Sequence, residues 1–169
     1  MTVEGTLMPN IREEVCRFIR LNEQDQWVPS GDALEELERF GDDLIPGLIE
    51  CLSGGHPDVR HLAVRLLAAA RPRSDVAVPY LIQRLDDEDW LIVTSVIFYI
   101  GDFGPLAAAA IPEVTKWLES PTEYLRVLAA TTIVKLDPSR TEFLPSIRAA
   151  MNSDHPVARD TAREFFDEM

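Results

Sequence analysis

Residues 99–118 read YIGDFGPLAAAAIPEVTKWL, and this one stretch carries a rung of each of two proline ladders. Pro112 belongs with Pro46, Pro79 and Pro145; Pro105 belongs with Pro72 and Pro138. Both ladders step by 33 residues. Self-similarity at a fixed period of this size is the mark of a repeat array, in which each unit is one supersecondary element. Such arrays are surfaces first and catalysts seldom, so the period bounds function as well as fold.

Counting from each proline of the first ladder exposes the unit. One residue before it stand Ile45, Val78, Ile111 and Leu144; two after it stand Leu48, Leu81, Val114 and Ile147; six after it stand Leu52, Leu85, Leu118 and Met151. These intervals share one face of a short helix. A proline in the first turn is compatible with that helix, because its missing N–H has no partner there. A turn rich in Asp, Ser and Pro comes next, at Ser53–Pro57, Asp86–Asp89, Glu119–Pro121 and Asn152–Pro156. A second, longer helix is predicted to start near Pro57, Trp90, Pro121 and Pro156. It carries apolar residues at position +13 (Val59, Ile92, Leu125, Ala158), +17 (Ala63, Val96, Ala129, Ala162) and +21 (Leu67, Ile100, Ile133, Phe166). The small residues at +17 let neighbouring helices approach closely. The second ladder, with Gly101 and Gly104, is predicted to break the chain between units.

The predicted fold is therefore all-α: an α-α superhelix, or solenoid, of stacked helix–turn–helix repeats. The units run over about 41–76, 77–109, 110–142 and 143–169, as one continuous domain. Residues 1–40 fall outside the register. Met8–Leu21 and Gly31–Phe40 still read as two amphipathic helices, joined through Asn22–Gln26 and Trp27–Pro29, with Ser30 or Asp32 as the cap of the second. They are read as a degenerate first repeat that caps the stack. Ala162–Met169, with Asp167 and Glu168 beside Phe165 and Phe166, reads as the polar closing face of the last repeat.

The repeats resemble HEAT repeats of the short bacterial kind, including those called PBS-lyase HEAT-like. Within YIGDFGPLAAAAIPEVTKWL, the Gly–x–x–Gly linker, the alanine run and the Ile–Pro helix start carry the likeness, which covers about residues 41–169. The family tends to have Arg fourteen residues after its proline; Arg60, Arg126 and Arg159 match and Val93 departs. Its mid-turn Asp is matched by Asp87 and replaced by Gly54, Ser120 and Ser153. The period is shorter than the ~40–47 residues usual for HEAT units. No Thr-Pro-Leu-His start of ankyrin repeats and no Trp–x–x–Leu–Gly pattern of tetratricopeptide repeats is present.

Composition narrows the partner. Hydrophobic residues make up 46% and charged residues 27% of the chain, which suits a folded core rather than disorder. Net charge is −13, from 16 basic and 29 acidic residues. Nucleic-acid binders carry a basic footprint, so this balance argues against one and favours a basic protein partner. Acidity that serves solubility alone is the other reading. No basic start followed by an apolar stretch marks a signal peptide, and the apolar run Trp90–Ile100 is too short to span a bilayer. Cys16 and Cys51 are the only cysteines and form no framework. A reduced cytoplasm and a monomer are expected. Only Lys116 and Lys135 are lysines against 14 arginines, which points to a high-GC bacterial source.

In HEAT arrays the second helices line the concave face. The resemblance thus implies a partner-binding stripe that includes His61, Arg65, Trp90, Leu91, Thr94, Phe98, Tyr124 and Val127. Exposed aromatic anchors are what protein interfaces use; Trp90, Leu91 and Phe98 could equally be core between repeats. The acidic run Asp86, Asp87, Glu88 and Asp89 is a candidate patch for basic groups, or a generously capped turn. Cys51, His56 and His61 fit no standard zinc spacing. No nucleophile–base pattern, His-Glu-x-x-His or phosphate loop is present. The expectation is a non-enzymatic scaffold without cofactor or metal, in its sharper form an acidic inhibitor or immunity-type protein. The alternatives implied by relatives are a lyase-like role in tetrapyrrole attachment and DNA binding of the repair-glycosylase kind, the latter opposed by the charge.

Overall fold

The computed structural model describes residues 10–23, 30–53, 56–69 and 74–169. Every regular element among them is helical. The chain divides into two compact units, 1–70 and 71–169.

The first unit holds α1 (Ile11–Glu23), α2 (Ser30–Leu37), α3 (Leu44–Leu52) and α4 (Pro57–Ala69), with a 3-10 segment, Glu38–Asp43, before α3. α4 packs against α1, α2 and α3. Its apolar residues Val59, Leu62, Ala63, Leu66 and Leu67 are buried, and Val15, Phe18, Ala33, Leu37, Leu48 and Leu52 are buried on the other three helices. Glu14, itself buried, ties α1 to α2 and to the 3-10 segment. Its carboxylate takes Arg17 at 2.7 Å and Arg39 at 2.9 Å, and Arg17 also pairs with Glu36 of α2. A buried carboxylate needs such partners, since an unpaired one costs several kcal/mol. The two helices anticipated in residues 1–40 are both present; their linker Trp27–Pro29 lies outside the described residues, as do Gly54 and Pro72.

The second unit holds α5 (Ser74–Gln83), α6 (Trp90–Ile100), α7 (Ile111–Thr115), α8 (Glu123–Leu136), α9 (Leu144–Ala150) and α10 (Pro156–Glu168). The longer helices lie side by side, α6 on α8 and α8 on α10. This is the stacking of an α solenoid. Ala63, Val96, Ala129 and Ala162, the small residues at +17, are all fully buried. The four residues at +2 and the four at +13 are buried as well. Between α6 and α8 the Thr132 hydroxyl donates to the Ile97 carbonyl at 2.9 Å, both buried. Beyond α8, Val127, Ala130 and Val134 join Ile147, Ala150, Ala158, Ala162 and Phe165 in one core cluster.

The structure corrects four expectations. Pro46, Pro112 and Pro145 stand within the first three residues of their helices, but Pro79 is the sixth residue of α5, because the preceding residues 74–78 are already helical. It therefore removes an interior backbone hydrogen bond rather than a spare N–H. The linker around Gly101 and Gly104 is no open break: Gly101–Ala110 is 3-10 helix with a kink at Gly104, which adopts φ +56°. Gly101 has ordinary helical geometry; its lack of a side chain serves a close approach, since a Cβ there would sit 3.3 Å from the Lys135 side chain. In the last repeat it is Phe165, at +20, and not Phe166 at +21, that fills the core; Phe166 is half-buried under the Arg148 guanidinium at 4.6 Å. Finally, Trp90–Glu119 forms a helical run of 30 residues, longer than the apolar run read from sequence, and its most apolar 18-residue window has a mean hydropathy of 1.7. The run is α6, the kinked 3-10 stretch, α7 and a closing 3-10 turn, and 56% of that window is buried in the unit.

Candidate functional site

The turn between the two helices of each repeat in the second unit is built on a shared device. The residue at +8 accepts a hydrogen bond from the N–H at +10: Asp87 from Asp89 at 3.0 Å, Ser120 from Thr122 at 3.2 Å, Ser153 from His155 at 3.0 Å. Asp and Ser both offer a short side-chain oxygen that mimics a backbone turn, so Ser replaces the mid-turn Asp without loss of the bond. The arginine at +14 then reaches back to the same turn. Arg126 donates to the Ser120 carbonyl at 2.7 Å and the Pro121 carbonyl at 3.0 Å; Arg159 donates to the Ser153 carbonyl at 3.2 Å. In the Trp90 repeat Val93 stands at +14, buried. There the turn is held instead by Asp87, whose carboxylate lies 3.9 Å from the Arg84 guanidinium.

Much of the acidic run is consumed by this architecture. Asp89 caps α6, its carboxylate accepting from the Leu91 N–H at 2.9 Å. Such a cap contributes about 1 kcal/mol. Asp87 serves the turn, with its side chain only 4% exposed. Asp86 and Glu88 are exposed to solvent.

Trp90, the first residue of α6, is 67% exposed, Leu91 is 42% and Phe98 38% exposed. All three are surface residues rather than core between repeats. Phe98 makes an edge-to-face contact with Tyr99, ring centroids 5.0 Å apart. Tyr124 is half-buried against the core cluster, and burial pushes its phenol upward from its ordinary value. Thr94 and Val127 do not belong to an open stripe. Thr94 turns its hydroxyl back onto the Trp90 carbonyl at 2.7 Å and is 7% exposed, while Val127 is a buried member of the core cluster. At +15 the side chain is covered by neighbouring helices, which a stripe drawn from one helix alone does not capture. His61 and Arg65 are half-buried on α4 in the other unit.

Two features of the second unit emerge only across repeats. Phe98, Thr131 and Glu164, all at +19, line one shallow depression over α6, α8 and α10. Leu91, Tyr124 and Val157, all at +12, are each the second residue of their helix, and Val157 is 50% exposed. The 33-residue register alone places Val157 in the same stripe as Leu91 and Tyr124. Elsewhere, a groove of about 410 Å³ lies between α8 and α9 over Val127, Ala130, Ile147 and Ala150. Its rim groups are already engaged: Glu123 takes the Ser153 hydroxyl at 2.8 Å and Arg126 serves the turn.

Among the described residues no group of three or more His, Cys, Asp or Glu side chains is placed to hold a metal ion. Cys51 is fully buried, and desolvation pushes its thiol up to about 11, which makes it a poor nucleophile at neutral pH.

The site is thus a surface of exposed apolar side chains on a helical scaffold. No curated protein matches the chain. Residues 45–130, just over half of the chain, match the family described as HEAT repeats, whose members are in general protein-interaction scaffolds. With the 33-residue period, the paired helices and their side-by-side stacking, this chain belongs to the HEAT-repeat family.

Proposed function

We propose that this chain is a non-enzymatic scaffold that holds a protein partner, and that the partner is basic. The observation that carries the reading is the exposure of Trp90, Leu91 and Phe98 on α6 beside the solvent-exposed carboxylates of Asp86 and Glu88. Aromatic anchors in an acidic surround suit a protein surface bearing Lys and Arg. A net charge of −13 would speed capture of such a partner by steering. Within this reading the chain is an acidic inhibitor or immunity-type protein, monomeric on its own, acting in a bacterial cytoplasm. The 33-residue period supports grouping it with the short, PBS-lyase-like repeats of its family.

A pull-down with wild type beside a folded Trp90→Ala/Phe98→Ala/Tyr124→Ala variant tests this. A basic protein held by wild type, lost by the variant and released as salt rises from about 50 to about 500 mM is the expected result. Retention that ignores salt refutes the basic partner, and no retained protein refutes the scaffold.

A further inference from the structure

Leu91, Tyr124 and Val157 occupy one repeat position on three consecutive second helices, and each stands one residue in from its helix start. Because α6 packs on α8 and α8 on α10, the three side chains form a row across the array. Leu91 and Val157 are exposed, Tyr124 between them is half-buried, and Trp90, the residue before Leu91, is exposed as well. The flank of this row is acidic. Asp86, Glu88, Glu119 and Asp154 are all exposed in the turns beside it. Arg126 and Arg159 hold turn carbonyls and Arg84 lies 3.9 Å from Asp87, but these three cations are outnumbered by Asp86, Asp87, Glu88, Asp89, Glu119, Glu123 and Asp154 in the same turns and helix starts.

Resting on the scaffold reading above, we propose that this row docks a single amphipathic helix of the partner protein, apolar at seven-residue spacing and flanked by Lys or Arg. Packed helices lie about 8–10 Å apart, which sets the step of the row. A docked helix rises about 10.5 Å in seven residues and returns to nearly the same face, so it presents one apolar side chain to each host helix. An extended strand needs every third residue to match the step, and its third residue points the opposite way. A polyproline II segment also matches, with about 9.3 Å per turn, but it is recognised by aromatic ridges, and two of these three residues are Leu and Val. Charge decides the flanks: carboxylates line the row, so the helix that fits carries cations there.

The probe is a displayed library of random peptides about 20 residues long, selected on wild type and counter-selected on Leu91→Asp/Val157→Asp. Both substitutions sit on exposed first turns, where Asp is well tolerated, so the variant folds, as circular dichroism will verify. The expected enrichment is peptides with apolar residues seven apart and Lys or Arg between them. They become helical on binding and lose at least tenfold in affinity for the variant. Enrichment of proline-rich, extended or acidic peptides, equal affinity for the variant, or no enrichment overturns the proposal. The same two baits run against a lysate separate it from the broader reading. A protein retained equally by both overturns the row and leaves the scaffold standing, whereas no retained protein and no enriched peptide overturn both.

Discussion

Gly47→Ala is the substitution for which the structure reverses what local rules predict. Gly47 lies inside α3, and replacing glycine by alanine in a helix interior ordinarily stabilises by about 0.5–1 kcal/mol. Here an added Cβ would come within 2.3 Å of Ile11 Cδ1, 2.9 Å of Ile11 Cβ and 3.1 Å of Ile11 Cγ1. The first contact can be relieved by turning the end of the isoleucine. The second cannot, because Cβ is fixed to the backbone of α1. Ile11 is 6% exposed, so the side chain has little room to leave. Relief requires α1 to shift away from α3, and overpacking of this kind costs about 1–3 kcal/mol. The net effect is a loss of roughly 1–2 kcal/mol, after the propensity gain is subtracted. Hydrogen exchange should show the loss in α1–α4, with the amides of 74–169 unchanged. A partial rescue is expected in Ile11→Ala/Gly47→Ala: the double variant should be more stable than the two single losses added together, by about 0.5 kcal/mol or more. The 2.9 Å contact keeps that rescue incomplete. Gly47→Ala that is neutral, or that stabilises by the propensity value, refutes the close approach of α1 and α3.

Three further outcomes are expected. Thr132→Val keeps the shape of the α6–α8 contact but removes the hydroxyl that donates to Ile97, so urea denaturation should register a loss of about 1 kcal/mol; no loss would mean that the bond contributes nothing. Arg126→Met removes a cation bonded to two turn carbonyls and should cost about 1.5–3 kcal/mol in the same assay, whereas Arg163→Met, on the exposed face of α10, should stay within about 0.5 kcal/mol. The buried Cys51 thiol, pushed up to about 11 from its ordinary value of 9.0, favours the protonated folded state. That contribution is complete below pH 9 and disappears as pH rises through 11, with a size of about 3 kcal/mol, so Cys51→Ser or Cys51→Ala should flatten the stability curve between those values. Wild type and variant with parallel curves would refute it.

The core positions of the repeat were legible from spacing because burial recurs with the period. Residues at +2, +13 and +17 are buried in every repeat, from Leu48 to Ala162. They face into the core of each unit, and a period of 33 residues brings each to the same side. The turn was half legible: Asp and Ser at +8 were visible as helix-start chemistry, but the arginine closing onto their carbonyls needed coordinates. The stripe was least legible. Trp90, Leu91 and Phe98 lie open while Thr94, on the same helix, folds back and is covered.

By itself, then, the sequence determined the all-α repeat, its register and its acidic character, because these arise from periodicity and composition, which are local or additive properties. Tertiary structure alone decided which of several equally apolar side chains stay in water, and that Gly47 is held open for Ile11. Those outcomes depend on which neighbour covers a side chain, and a neighbour 33 residues away has no signature in the residue it covers.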